Sequence, residues 1–161
     1  MIVIREATAH DRGAVWEIFH AVVAGGDTYV FDPATPRDEA IAYWFQADAR
    51  TYVAEHDGRV VGTYFLKPNR PGLGGHVANA AFMVSPSARG LGVGRAMGEH
   101  ALDEARRLGY RAMQFNFVVS TNTAAVRLWE RLGFAVVGTL PGAFRHSSLG
   151  FVDAYVMFRT L

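Results

Sequence analysis

The order of periodic segments along this sequence predicts an α+β fold, in which a mixed sheet of about seven strands is flanked by about four helices. Strand-like and helix-like segments follow one another in the order β-α-α-β-β-β-α-β-α-β-β. Half of the 161 residues are hydrophobic and 19% are charged, which is typical of a globular protein. A strand–helix–strand unit in the second half predicts two parallel strands at the centre of the sheet. We expect residues 1–161 to form one domain.

The first half of the chain contains two predicted helices that follow the first strand. Residues 1–6 alternate as a strand, and Thr8 with Asp11 forms the pattern of a capping box at the start of a helix. Gly25-Gly26 ends that helix. After a loop, Thr35-Pro36 predicts a second helix, with threonine as the N-cap and proline at the first helical position.

Six strands and two helices are predicted in the remainder of the chain. The strands are residues 51–55, 60–66, 77–84, 112–119, 134–140 and 152–158. Asp57-Gly58 favours a tight turn between the first two of them. One helix ends at Leu108, and the other begins at Thr121 or Asn122 and ends before Gly133.

Composition and charge exclude several classes of function. The 16 basic and 15 acidic residues leave a formal charge of +1, whereas a nucleic-acid-binding protein normally has a marked basic excess. The chain has no cysteine, which excludes disulfide scaffolds, thiolate zinc sites and a cysteine nucleophile. The six histidines show no ligand spacing, so no metal site is expected. Because no apolar run reaches the roughly 18 residues of a membrane span and no signal-peptide pattern begins the chain, we expect a cytoplasmic protein without a membrane partner.

Glycines are concentrated in one turn. Of the 17 glycines, three lie in Arg89-Gly90-Leu91-Gly92-Val93-Gly94, between a predicted strand and a long helix. A helix N-terminus presents unpaired N–H groups, and glycines let a phosphate approach them closely. The alternative is that these glycines only form a tight turn. A Walker A loop is excluded because Lys67 is the only lysine, and the third glycine lies one place too early for a Rossmann fingerprint.

Two motifs stand in the second half of the chain: Arg89-x-x-Gly92-x-Gly94 and Asn122-x-x-Ala125-x-x-Leu128-Trp129-x-x-Leu132-Gly133-Phe134. They resemble, in this order, the first and the second signature of the GCN5-related N-acetyltransferases (GNAT). The order of strands and helices resembles that of the family over nearly the whole chain. The resemblance implies the acyl-CoA N-acyltransferase fold, an N-acetyltransferase activity and acetyl-CoA as co-substrate.

The resemblance also implies a set of cofactor-binding residues. Backbone N–H groups of the glycine-rich turn would hold the pyrophosphate, and the pantetheine arm would pair like an extra strand with residues 82–84, where two central strands separate. Arg95 is either a phosphate contact or an exposed surface arginine. The implied residues are Phe82, Met83, Val84, Arg89, Gly90, Leu91, Gly92, Val93, Gly94, Arg95, Ala96, Asn122, Ala125 and Trp129.

Three asparagines, Asn79, Asn116 and Asn122, stand in or beside predicted strands. Asparagine is rare in strands, and an unpaired buried amide costs roughly 1–3 kcal/mol. A helix cap explains Asn122, and a strand-end hydrogen bond explains Asn79 as well as a function does. The apolar neighbours Phe115 and Phe117 favour a function for Asn116 over a structural role.

The same asparagines carry a narrower resemblance to yeast acetyltransferases that detoxify azetidine-2-carboxylate and related proline analogues. It extends from Tyr29 to the C-terminus and includes Lys67-Pro68-Asn69 and Val152-Asp153-Ala154. It implies that Asn79 and Asn116 bind the carboxylate of a small amino-acid-like acceptor, and that Asn122 contacts CoA. Asn116 and Asn122 are the implied catalytic residues. Tyr29, Phe31 and Asp32 form either the wall of the acceptor pocket or ordinary loop packing.

The family reaction implies direct attack of a neutral amine on the thioester carbonyl, which agrees with the absence of cysteine. Trp129 replaces the tyrosine that usually protonates the departing thiolate, and an indole N–H is a very poor acid. A backbone N–H near Met83 or Val84 is the expected oxyanion donor. No general base stands out, since His76 fits a surface histidine and Asp32 and Asp153 are weaker candidates.

Two alternatives keep the fold and change the function. One is transfer to another amine, such as a phosphinothricin-like or sulfoximine-like amino acid or a protein N-terminus. The other is an acyl-CoA-binding sensor without turnover, which the missing tyrosine and base favour. The apolar strand at residues 152–158 would serve either a homodimer contact or the core.

Overall fold

The computed structural model describes all 161 residues. Its strands are β1 (Ile2–Glu6), β2 (Arg50–His56), β3 (Arg59–Pro68), β4 (Val77–Val84), β5 (Ala112–Val119), β6 (Ala135–His146) and β7 (Gly150–Thr160). Its helices are α1 (Arg12–Ala24), α2 (Arg37–Trp44), α3 (Val93–Arg107) and α4 (Thr123–Arg131). This order confirms the predicted fold class. None of the helices is long and apolar enough to cross a membrane.

The seven strands form one mixed sheet in the order β1-β2-β3-β4-β5-β7-β6. All neighbouring strands are antiparallel except β4 and β5, which α3 connects and which run parallel as predicted. This parallel pairing joins only Val77 with Ala112 and Ala78 with Met113. Beyond these two pairs the strands separate and open a gap in the middle of the sheet, which we call the central gap.

Helices cover both faces of the sheet. On one face, α1 and α2 bury a cluster that includes Phe19 and Phe65. On the other face, α3 and α4 bury a larger cluster that includes Tyr64, Met97 and Trp129. Tyr64 and Phe65 are neighbours in β3 and belong to opposite clusters, because successive side chains of a strand point to opposite faces.

The first two helices begin close to the predicted places. The capping box of Thr8 and Asp11 is present, with the Thr8 N–H donating to the Asp11 carboxylate at 2.7 Å, and it opens a short 3₁₀ turn before α1. The prediction of Thr35 as the N-cap of α2 is wrong. Its hydroxyl donates to the Asp32 carbonyl in the preceding turn, and Pro36 takes the N-cap position.

The final hairpin is longer than predicted. β6 continues to His146 instead of ending at residue 140, and Pro141 and Gly142 lie where its register with β7 shifts. A bulge in an edge strand tolerates a proline, and β6 is the edge strand here. β7 lies between β5 and β6, so residues 152–158 belong to the interior of the sheet and offer no free edge to a second copy.

An ion pair connects β1 to the turn before α1. Arg5 donates hydrogen bonds to both oxygens of the Asp11 carboxylate, at 2.8 and 2.9 Å, and Asp11 is only 6% exposed. These hydrogen bonds lower the pKa of Asp11 to about 2. In the unfolded chain the pKa of this carboxyl is about 4. The ion pair therefore contributes fully above that pH, and its contribution is lost as the pH falls towards about 2.

We therefore expect Asp11→Asn to lower the free energy of unfolding by about 1–2 kcal/mol at neutral pH. The difference from the unsubstituted chain shrinks as the pH falls from about 4 to about 2, because the native carboxyl becomes protonated in the same range. Urea unfolding at a series of pH values measures it. Asp103→Asn is the matched control, since Asp103 pairs with Arg106 on the exposed face of α3. A difference that stays constant down to the lowest pH contradicts the assignment.

Candidate active site

The central gap begins at Asn79. The Asn79 Nδ2 donates to the carbonyl of Gln114 at 3.0 Å, directly beyond the last backbone pair of β4 and β5. This is the strand-end hydrogen bond that the sequence left open as one explanation of Asn79. An amide nitrogen has two hydrogens, so Asn79 joins the strands with one and retains a second donor.

Alternate backbone groups of β4 face the central gap. The backbone groups of the odd-numbered residues form hydrogen bonds with β3. The bond from the Ser85 N–H to the Val61 carbonyl (2.8 Å), one residue beyond the end of β4, fixes this alternation. The N–H and C=O groups that face the central gap therefore belong to Ala80, Phe82 and Val84. An open strand edge of this kind can pair with an extended ligand.

The structure does not agree with the roles predicted for Met83. Its backbone pairs with Thr63 of β3, and its side chain is fully buried in the cluster beneath α1. The expectation that Met83 contacts the cofactor or serves as oxyanion donor is therefore corrected, because neighbouring residues of a strand direct their backbone groups to opposite edges. Phe82 and Val84 carry the N–H groups that face the central gap.

The Tyr29 hydroxyl lies on this open strand edge. It accepts a hydrogen bond from the Phe82 N–H at 3.0 Å and donates one to the Phe82 carbonyl. Tyr29 belongs to the loop between α1 and α2, and its ring stacks on Phe31 with centroids 6.4 Å apart. Burial raises the pKa of the Tyr29 hydroxyl above its usual range, so the hydroxyl stays protonated at neutral pH.

Asn116 lies in a bulge of β5. The register with β7 shifts between Phe115 and Val118, so Asn116 and the residue after it lie opposite a single residue of β7. The Asn116 Oδ1 accepts from Gln114 Nε2 at 3.0 Å, and its Nδ2 donates to Asn69 Oδ1 at 2.7 Å. The amides of Gln114 and Asn69 thus hold Asn116 in one orientation and leave one of its N–H donors free.

One side of α4 lies beside the central gap. Asn122 is the N-cap of α4, and its Oδ1 accepts from the Ala125 N–H at 3.4 Å, which is the structural role that the sequence allowed. Trp129 is 8% exposed, and its ring centroid lies 4.8 Å from that of Phe82 and 4.7 Å from that of Phe115. Trp129 is thus part of an aromatic cluster between the sheet and α4.

A cavity of about 210 Å³ in the central gap brings eight of the predicted residues together. Its walls are mainly apolar, and the predicted residues among them are Tyr29, Phe31, Asn79, Phe82, Asn116, Asn122, Ala125 and Trp129. Sites that take drug-sized ligands measure about 300–1,000 Å³. The cavity therefore suits a small molecule or the reactive end of a longer one.

The loop after α1 and helix α2 add residues to the cavity wall that the sequence did not predict. Thr28, Val30 and Tyr43 line it and were not predicted. Thr28 and Val30 alternate with the predicted residues Tyr29 and Phe31, which was a signal for them. Nothing in the sequence places Tyr43 of α2 at the cavity. Of the two interpretations of Asp32, the pocket wall is wrong and loop packing agrees with the structure. Asp32 is exposed and outside the cavity, and its carboxylate accepts the Ala34 N–H at 2.8 Å in a local turn.

The N-terminus of α3 presents backbone donors without partners. The first hydrogen bond of this helix runs from the Ala96 N–H to the Gly92 carbonyl at 3.0 Å, and no side chain caps the helix. The N–H groups of Val93, Gly94 and Arg95 therefore have no partner within the helix. Gly92 has φ of +79° at the N-cap, a left-handed conformation that favours glycine.

This helix end fits the diphosphate of acetyl-CoA. A Cβ atom at Gly90 or Gly92 would meet no atom within 4 Å, so the approach to the helix end is open. Free N–H groups and the helix dipole both favour a phosphate at such a position. Arg95 instead forms a surface ion pair with Glu99 at 2.8 Å, and Arg89 is exposed. The backbone N–H groups at the start of α3 are thus the main groups at this position with the chemistry to bind a phosphate.

Neutral groups dominate the electrostatics of the cavity. No carboxylate, histidine, lysine or arginine lines it, and its only titratable residues are Tyr29 and Tyr43, whose pKa values are both raised by burial. The candidates for a general base lie elsewhere: His76 is exposed, and Asp153 accepts the Gly142 N–H at 2.9 Å in the final hairpin. The chemistry of the site therefore depends on hydrogen bonds and position.

Comparison with known proteins finds relatives over most of the chain. Residues 16–134 match the model of the acetyltransferase (GNAT) family. The N-acetyltransferase aca1 of Schizosaccharomyces pombe is 34% identical over 148 residues, covering 81% of this chain and 71% of that protein. The L-methionine sulfoximine/L-methionine sulfone acetyltransferase of Salmonella typhimurium is 30% identical over 142 residues, covering 86% of this chain and 82% of that protein.

Two solved structures share the fold. A GCN5-related N-acetyltransferase from Kribbella flavida is 46% identical with a TM-score of 0.95, covering 99% of this chain and 98% of that chain. The acetyltransferase yncA of Salmonella typhimurium, solved with its cofactor acetyl-CoA, is 28% identical with a TM-score of 0.86, covering 100% of this chain and 94% of that chain. The S. pombe relative agrees with the narrower resemblance to yeast enzymes.

Proposed function

Because the chain belongs to the acetyltransferase (GNAT) family and is an acetyl-CoA-dependent N-acetyltransferase, we propose that its acceptor is the amine of a small amino-acid-like molecule. The observation that carries this proposal is the cavity in the central gap. It is small and free of charged side chains, and it has the amides of Asn79 and Asn116 on the two strands that border it.

In this proposal the co-substrate extends from the N-terminus of α3 into the central gap. The N–H groups of residues 93–95 bind the diphosphate, and the backbone of Phe82 and Val84 pairs with the pantetheine arm. Gly94 supports this path, since a Cβ there would lie 3.9 Å from Val84 and 3.5 Å from Leu128, so the passage between β4 and α4 is narrow. Asn122 and Ala125 border the same passage.

The acceptor's carboxylate binds to the two amides in this proposal. Asn79 and Asn116 each keep one N–H donor after their bonds to Gln114 and Asn69 are counted. Two neutral donors bind a carboxylate without the fixed charge that would attract larger anions. A relative named for L-methionine sulfoximine and L-methionine sulfone, which are small amino acids, supports this class of acceptor.

The reaction proceeds by positioning rather than by strong acids or bases. An environment without charges favours the neutral form of the attacking amine, because desolvation lowers the pKa of an ammonium group. Trp129 cannot protonate the departing sulfur, since an indole N–H is too weak an acid. The Asn122 amide and the N-terminus of α4 instead stabilise the thiolate, and water supplies its proton.

Within this class we favour a proline analogue such as azetidine-2-carboxylate, and with it a role in detoxification. The basis is the arrangement of Asn79, Asn116 and Asn122 around one cavity, together with the resemblance to yeast enzymes that acetylate such molecules. A compact cyclic amino acid is also compatible with a cavity of about 210 Å³.

A free-thiol assay tests the proposal. The protein is incubated with acetyl-CoA and each member of a panel of amino acids, azetidine-2-carboxylate, phosphinothricin, methionine sulfoximine and a peptide with a free N-terminus. We expect acceptor-dependent CoA release and an N-acetylated product by mass spectrometry for small amino acids, and none for the peptide. Tight acetyl-CoA binding without release for any acceptor would contradict the proposal and leave an acyl-CoA sensor as the function.

A further inference from the structure

We infer that Tyr29 is a catalytic residue whose hydroxyl, together with the Phe82 N–H, donates a hydrogen bond to the thioester carbonyl oxygen as negative charge develops on it. This inference rests on the proposed function, because it places the acetyl group in the central gap. It assigns to a loop residue a role in the transition state that the sequence motifs do not contain.

The phenol oxygen of Tyr29 marks a position where an oxygen atom accepts from the Phe82 N–H. The distance of 3.0 Å lies within the range of about 2.7–3.1 Å that oxyanion donors require. Phe82 is the central one of the three β4 residues whose backbone faces the central gap. A carbonyl oxygen that binds to this N–H therefore takes the place of the Tyr29 oxygen.

A small movement of Tyr29 then points its hydroxyl at the incoming oxygen. When the carbonyl takes the Phe82 N–H, the Tyr29 oxygen moves back by about one hydrogen-bond length, or about 2.8 Å. Its O–H, released from the Phe82 carbonyl, faces the atom that replaced it. Two donors then meet at one oxygen, as in other oxyanion sites.

The loop that carries Tyr29 is held at several points, so its movement is limited. The ring of Phe31 stacks on Tyr29 and lies 5.0 Å from Phe19 and 4.9 Å from Tyr43, measured between centroids. At the start of the loop, Ser147 of the final hairpin donates from its N–H to the Gly26 carbonyl at 3.0 Å. These contacts restrict the Tyr29 hydroxyl to a short displacement from the Phe82 backbone.

The electrostatics favour a hydrogen-bond donor over a proton donor. Burial raises the pKa of the Tyr29 hydroxyl, so it stays protonated but is a weak acid towards a thiolate, whose thiol has a pKa of about 8.5. In the step, the amine nitrogen forms a bond to the carbonyl carbon and the carbon–sulfur bond breaks. The nitrogen loses one proton to water, water supplies one to the thiolate, and Tyr29 keeps its own.

Tyr29→Phe tests the inference with two readouts. We expect kcat for the best acceptor to fall by about 100-fold or more, with KM for acetyl-CoA changed much less, since loss of one oxyanion donor typically costs about 10²–10³-fold. We also expect the carbonyl stretch of bound ¹³C-labelled acetyl-CoA, recorded without acceptor, to move to higher wavenumber. Tyr110→Phe is the matched control, because Tyr110 follows α3 outside the cavity.

A second variant keeps the test decisive if Tyr29→Phe does not fold. Tyr29→3-fluorotyrosine preserves shape and strengthens the donor, so the carbonyl stretch should move to lower wavenumber. An unchanged stretch in both variants, or an equal kcat in Tyr29→Phe, would overturn the role of Tyr29. A native chain that binds acetyl-CoA but acetylates no acceptor would instead contradict the proposed function, and the infrared comparison would still decide the role of Tyr29.

Discussion

A Gly94→Trp variant is expected to bind acetyl-CoA at least about 100-fold more weakly, equivalent to about 2.8 kcal/mol, while remaining folded. Gly94 lies in the first turn of α3, where a Cβ would already be 3.5 Å from Leu128 and 3.9 Å from Val84. An indole cannot fit between these two side chains, so it must extend into the passage in front of the free N–H groups. It therefore blocks the diphosphate and the pantetheine arm together.

Titration calorimetry with acetyl-CoA measures this loss. Gly94→Ala is the matched control, because its methyl group makes only ordinary van der Waals contacts and leaves the passage open. It should retain most of the affinity. Circular dichroism melting shows whether Gly94→Trp is folded. If the folded variant binds acetyl-CoA as the native chain does, the N-terminus of α3 is not the phosphate site.

Asn116→Ala is expected to lower kcat/KM for the acceptor by more than about tenfold, equivalent to about 1.4 kcal/mol. Asn116 lines the cavity on the strand opposite Asn79 and has one free N–H, and the proposal places the acceptor's carboxylate there. Asn116 is exposed, so the free energy of unfolding should change by no more than about 0.5 kcal/mol. The effect should appear mainly in KM, because the contact exists before the transition state.

Steady-state kinetics with two forms of one acceptor sharpen this test. Asn116→Asp still accepts from Gln114 but replaces the donor with a negative charge, so it should raise KM for the free amino acid more than for its amide. Asn69→Ala is the control, because it removes the hydrogen-bond partner of Asn116 but keeps the N–H donors of Asn116. An unchanged rate in Asn116→Ala would mean that Asn116 only connects Gln114 with Asn69 and does not bind the acceptor.

Local signals made the elements and the open N-terminus of α3 predictable. Asp57 and Gly58 adopt φ of +51° and +74°, as the turn between β2 and β3 requires, and Gly109 ends α3 with φ of +86°. The open N-terminus of α3 follows from the glycines around residue 92, whose conformation depends on neighbours in sequence. These properties need no knowledge of distant contacts.

Other assignments failed because they depend on register or on alternative hydrogen bonds. Met83 was predicted to bind the cofactor together with Phe82 and Val84. In a strand, however, the backbone groups of adjacent residues face opposite edges, so those of Met83 face β3 and not the central gap. Asp32 had the residue type of a site residue, but its carboxylate closes a local turn instead. β6 passes Pro141 because a bulge at an edge strand accommodates it.

The sequence by itself determined the order of the elements, the glycine-rich start of α3 and membership of the family. Only the tertiary structure decided which β4 groups face the central gap and that Tyr29, 53 residues before Phe82 in the chain, hydrogen-bonds to the Phe82 backbone. The physical reason is that helix ends and turns are specified by residues within a few positions. The approach of a loop side chain to a strand edge depends instead on how two distant segments pack, and no periodic pattern records it.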